Sequence, residues 1–114
     1  MVEGMDGLVG RLREVVGERG WARYHTPKNL VMALAGEVGE LVAEFQWLTE
    51  EESVGVMARE EKAAAVRSEL ADVFTYLVEL ADVLGVDLVR AAHEKADVVA
   101  ERYARGEYAE FDQP

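Results

Sequence analysis

The stretch REEKAAAVRSELADVFTYLVELADVLG, residues 59–85, constrains the fold more than any other part of the chain. It reads as one long apolar helix closed by Gly85, and strand-like alternation of apolar and polar residues is absent throughout the sequence. Its neighbours follow the same period. Leu8, Val9, Leu12, Val15 and Val16 recur at helical spacing and predict a first amphipathic helix ending near Gly17 to Gly20. Thr26 followed by Pro27 is a start signal, because threonine accepts from free N–H groups and proline fits the first helical position. A second helix is therefore expected from about Pro27 to Leu48, with Leu30, Val31, Leu34, Val38, Leu41, Val42 and Phe45 as its apolar stripe. Thr49 to Glu52, TEEE, fits a capping box for a short helical turn. Asp87 then caps a last helix whose buried side is Leu88, Ala91, Ala92, Ala96, Val99 and Tyr103. The expected fold is all-α, a four-helix protomer forming a single domain over residues 1–114. The tail from about 104 to 114 is too short and polar for a core, although Tyr108 and Phe111 are candidates to dock on a neighbour.

A chain of 114 residues has a high surface-to-volume ratio, so any apolar helical face left over favours a homo-oligomer, a dimer or a tetramer. The net charge of −11 leaves no basic footprint for a nucleic-acid backbone, which argues against polymeric DNA or RNA as a partner. An acidic protein still binds a phosphorylated small molecule where a divalent cation stands between the two sets of negative charge. No apolar run is long enough to span a bilayer, and the acidic N-terminus does not look like a secretory signal, so a cytoplasmic protein is expected. With no cysteine, any metal must bind through oxygen or histidine.

The candidate site lies where stability is given up. GEVGELVAEF, residues 36–45, puts Gly36 and Gly39 inside a helix and crowds Glu37, Glu40 and Glu44 along one surface. The next long helix carries Glu69 and Asp72. Residues three apart lie on one face with Cβ atoms roughly 5 to 6 Å apart. An ExxE pair and an ExxD pair on two antiparallel helices can therefore converge, as bundles do when they build oxygen-rich metal sites. Four carboxylates so placed call for a hard cation, Mg²⁺ with Mn²⁺ as a plausible substitute. Neither histidine completes an ExxH motif, since Ala22 and Arg90 stand three places before His25 and His93. Acids on a helix are more often a solvated face, but both pairs abut strongly apolar stripes and neither is balanced by Lys or Arg at the next turn. The glycines are read as allowing close approach of a second helix or a ligand.

Together, KNLVMALAGEVGELVAEFQWL, VRSELADVFTYLVELADVLGVDL and EKADVVAERY resemble the MazG-like all-α nucleoside triphosphate pyrophosphohydrolases, over roughly residues 21–103 and most nearly their dCTP pyrophosphatase branch. The resemblance implies Mg²⁺-dependent hydrolysis of a nucleoside triphosphate to its monophosphate and pyrophosphate, in a dimer or tetramer. It implies metal ligands at Glu37, Glu40, Glu69 and Asp72, with Glu44 supporting them or orienting water. It implies a base and sugar pocket at Trp21, His25, Asn29 and Trp47, phosphate-side groups at Lys95, Arg102 and Tyr103, and a place beside the site for Tyr76. Two positions depart from the family pattern: Val99 stands where the last helix has asparagine, and Leu12 where animal dCTP enzymes have histidine. The rival reading is a non-enzymatic helical partner-binding module with a structural cation site.

Overall fold

The computed structural model describes residues 4–107, all helix and connection, with no strand among them. The chain divides into two compact units between Leu84 and Gly85. The first holds four helices: α1 (Met5–Arg19), α2 (Pro27–Phe45), the short α3 (Glu50–Val54) and α4 (Glu60–Leu84). Single 3₁₀ turns, Ala22–Tyr24 and Val56–Ala58, lie before α2 and α4. The second unit holds α5 (Leu88–Ala104). Tyr108 and Phe111 lie outside the described residues.

The boundaries follow from local chemistry. The Thr26 hydroxyl accepts from Asn29 N–H at 3.2 Å with Pro27 behind it, opening α2. Thr49 and Glu52 form a reciprocal capping box, at 2.9 and 3.1 Å, opening α3. Asp87 accepts from Arg90 N–H at 3.1 Å and opens α5. Gly20 closes α1 in the left-handed region, at φ 66°, where residues with a Cβ are strained. The expected end of α2 at Leu48 falls instead at Phe45, because Leu48 N–H bonds back only three residues, to the Phe45 carbonyl, in a tight turn leading to Thr49.

Two contacts fix how α2 and α4 meet. Glu44 near one end of α2 bonds Lys62 near the start of α4, while Glu37 and Glu40, further back on α2, approach Glu69, further along α4. The helices are therefore antiparallel, and Glu69 of the second acid pair comes up to Glu37 and Glu40 within the first unit. Among the described residues the buried core is small: Leu30 from α2, Val56 from the turn before α4, and Val66, Val78 and Ala81 from α4. Helix α1 contributes no buried residue and is tied to α4 by the Arg13–Asp82 ion pair. Much of the apolar stripe stays outside: Val38, Val42, Leu70 and Phe74 are each more than 40% exposed. Val38, Leu41, Val42, Phe45, Val66 and Leu70 line an apolar groove of about 480 Å³. No helix among the described residues is long and apolar enough to cross a membrane.

Candidate metal centre

The α2 sequence places Glu37 and Glu40 on one face, and antiparallel packing brings Glu69 of α4 against them. One carboxylate oxygen from each of the three lies within 4.8 Å of the others. Glu37 Oε2 and Glu69 Oε2 are both buried and lack a hydrogen-bond partner among the described residues. A buried polar atom left unpartnered is costly, so two facing each other across two helices mark a place where something positive belongs. Glu37 is pushed up to about 7, first by burial, then by the adjacent Glu40 carboxyl and the charges of Asp72 and Glu69. Burial, Glu40 and Asp72 also raise Glu69, opposed by its contact with Glu37. Asp72 is not among the three clustered carboxylates, but its charge acts on Glu37, Glu69 and Tyr76.

Glu44, one turn beyond Glu40, is not left to repulsion. Lys62 Nζ donates to its Oε2 at 3.0 Å, an ion pair that sequence spacing along α2 could not reveal because the partner is 18 residues away. Tyr76, on α4 one turn past Asp72, is raised by burial and then by Glu37, Glu79 and Asp72, so it stands between the acid cluster and Glu79. Gly36 and Gly39 were expected to admit a close neighbour. In this chain a Cβ at either would meet nothing within 4 Å, so both face open space.

Around the loop before α2, the expected pocket residues separate by role. The His25 side chain, 18% exposed, has Nδ1 3.7 Å from Glu79 Oε2. Asn29 is engaged locally: its Nδ2 donates to the Tyr24 carbonyl at 2.9 Å and its backbone N–H completes the α2 cap. Trp21 has the Arg19 guanidinium over its ring, 5.4 Å from the centroid. Trp47 lies in the turn after α2 and is 86% exposed. Lys95, Arg102 and Tyr103 lie on α5, in the second unit, with Lys95 and Arg102 seven residues apart on one face.

A cavity of about 350 Å³ lies between α1 and α4, walled by Val9, Leu12, Val16, Val78 and Val83. Its polar groups are Arg13, Asp82, His25 and Glu79. Arg13 Nε donates to Asp82 Oδ2 at 2.9 Å and its second nitrogen to Oδ1, which holds Asp82 below the usual carboxylate range. Burial raises Glu79, opposed by His25. None of Arg13, Glu79 and Asp82 carries a motif, and their pairings span 54 to 69 residues, so sequence patterning had no means of finding them.

Comparison with known proteins bears on this geometry. Residues 33–112 match the MazG-like family. The chain is similar to dCTP pyrophosphatase 1 of Rattus norvegicus and of Homo sapiens, 44% identical over 90 residues in each case, covering 79% of this chain and 53% of theirs. It thus spans about half the length of the curated relatives it matches. A pyrophosphatase from Archaeoglobus fulgidus has a similar structure, with a TM-score of 0.82 and 36% identity over 90% of this chain and 94% of that one.

Proposed function

The chain belongs to the MazG-like family, and from that premise we propose that it is a nucleoside triphosphate pyrophosphohydrolase, cleaving a (d)NTP with water to the (d)NMP and pyrophosphate. The names of the relatives dCTP pyrophosphatase 1 support dCTP as substrate, and we extend the reading to a modified pyrimidine nucleotide. The observation that carries the reading is the pair of buried, unpartnered oxygens on Glu37 and Glu69, set within a three-carboxylate group. Such an all-oxygen donor set fits a hard divalent cation, and Mg²⁺ best among those available to a cell. Glu37, Glu40 and Glu69 would hold it, with Asp72 as the fourth carboxylate.

When bound, the cation offsets negative charge on the phosphate oxygens and favours in-line displacement at phosphorus. The chain's own groups do the rest. Glu44, paired with Lys62, orients water and takes up its proton as it attacks the α-phosphorus. The bond from the α-phosphorus to the bridging oxygen breaks, and the electron pair leaves with pyrophosphate. The family resemblance implies Lys95, Arg102 and Tyr103 as the groups that offset the charge growing on that leaving group. Trp21, His25, Asn29 and Trp47 line the base and sugar side, and Tyr76 joins the two halves of the site. The exposed stripe of Val38, Val42, Leu70 and Phe74 is the face we assign to a homodimer or homotetramer, since apolar surface of this extent on a small protein marks an interface. Acting on free nucleotides in the cytoplasm, the protein would clear unwanted triphosphates from the pool.

Separation of products decides the reaction. Incubation with dCTP, dTTP, dUTP, dATP and modified nucleotides, with Mg²⁺ and with chelator, should give monophosphate and pyrophosphate only when metal is present. Formation of diphosphate and phosphate would overturn the reading. A fold lost on chelation, with no turnover of any nucleotide, would favour a structural cation in a binding module.

A further inference from the structure

The cavity between α1 and α4 has the size and lining of a small-molecule pocket, with apolar walls and a few polar groups. Two of those groups, Arg13 and Asp82, are joined to each other by two hydrogen bonds. Glu79 is different. Its side chain is 12% exposed, it lines the cavity, and its contact with His25 Nδ1 is 3.7 Å, longer than a hydrogen bond. A carboxylate offers acceptors, and an enclosed acceptor selects a ligand bearing an N–H donor.

Position along α4 says which ligand. Asp72, Tyr76 and Glu79 follow one another at helical spacing on one face, and seven residues at 1.5 Å each put Glu79 about 10 Å from Asp72 along the axis. Tyr76 feels the charge of Glu37 and Asp72 on one side and of Glu79 on the other. On the proposed function, a nucleotide with its α-phosphate at the acid cluster would bring its base toward this cavity.

We propose that Glu79 reads the exocyclic amino group of a nucleobase held between α1 and α4, and so makes the site prefer amino-bearing pyrimidines over keto ones. This rests on the pyrophosphohydrolase reading and deepens it. The flat ring packs against Leu12, Val16 and Val78, while the amino N–H donates to the Glu79 carboxylate. Uracil or thymine would turn a carbonyl oxygen toward the same carboxylate, placing acceptor against acceptor. Rejection by an unmet polar group is stronger than rejection by shape.

The test is Glu79→Gln, which keeps size and supplies an amide donor. Wild-type protein should favour dCTP over dUTP in kcat/KM, and E79Q should reduce that ratio at least about tenfold, mainly through KM. An unchanged ratio in a folded variant, confirmed by circular dichroism, would overturn the proposal while leaving the reaction intact. Titration with deoxycytidine and deoxyuridine, followed by NMR, reads the cavity without any hydrolysis. Preference for deoxycytidine that is lost in E79Q supports the assignment even if no triphosphate is cleaved, in which case only the reaction fails. Equal binding of both nucleosides by wild type overturns it.

Discussion

Lys62 of α4 donates to Glu44 of α2 at 3.0 Å, both side chains about a quarter exposed, and so closes with a positive charge the end of an otherwise acidic strip. Glu37, Glu40 and Glu69 lie further along the same helix pair, where Glu37 Oε2 and Glu69 Oε2 have no hydrogen-bond partner among the described residues. On the proposed reading, the contrast separates an acid held by the protein from acids that would hold a cation.

Replacing Lys62 with Met should therefore affect the reaction more than the fold. Partly exposed pairs contribute about 0–1 kcal/mol, so denaturant unfolding should shift by no more than that. Turnover should fall about tenfold, in kcat rather than KM, and Lys62→Arg should restore most of it. Unchanged kcat in the Met variant would remove Glu44 from the mechanism.

Metal-free protein should become less stable as pH rises from about 4.5 to about 7. Glu37 is raised to about 7 in the folded state, so its contribution is fully present below the unfolded carboxyl value and is lost as pH passes through the folded one. Glu69 and Glu79, also raised, act in the same sense. Glu52 and Asp82 are lowered, and their contributions are lost at pH below this window. Thermal melts in chelator should show Tm falling across that range, with Mg²⁺ raising Tm far more at pH 8 than at pH 5. A rising Tm in chelator would contradict the cluster's electrostatics.

Neutralising one member of the set should separate activity from folding. Glu40→Gln and Asp72→Asn are expected to lower turnover by at least about 100-fold, since the charge holding the cation is reduced where it matters most. Both should keep a helical circular dichroism spectrum, and in chelator they should melt no lower than wild type, because repulsion has been removed. Wild-type pyrophosphate release from either variant would exclude that carboxylate.

Gly36→Ala and Gly39→Ala test the open face of α2. A Cβ at either position meets nothing, so each should gain up to about 1 kcal/mol in urea unfolding of the single chain. A loss of stability, accompanied by smaller particles in analytical ultracentrifugation, would mean that a second copy packs against these glycines.

The helices were legible because their signals are local. Thr26–Pro27, the Thr49 to Glu52 box and Asp87 each act within one turn, and each lies where its chemistry requires. The three-carboxylate group was legible for a related reason, since ExxE spacing fixes a face and only the antiparallel return of α4 had to be added. Pairings across the fold were not. Arg13 with Asp82, His25 with Glu79 and Lys62 with Glu44 depend on helix register, which no spacing along one helix encodes. Asn29 adds a bond of the same kind: its side-chain amide donates to the Tyr24 carbonyl of the preceding loop, which the spacing within α2 does not announce. Gly36 and Gly39 signalled a special place in α2 without saying what, if anything, comes near.

Hydrolysis of dCTP in ¹⁸O-labelled water with Mg²⁺, followed by mass spectrometry of both products, tests attack at the α-phosphorus most directly. The expected result is one labelled oxygen in dCMP and none in pyrophosphate. Label in pyrophosphate, or products of dCDP and phosphate, would contradict it.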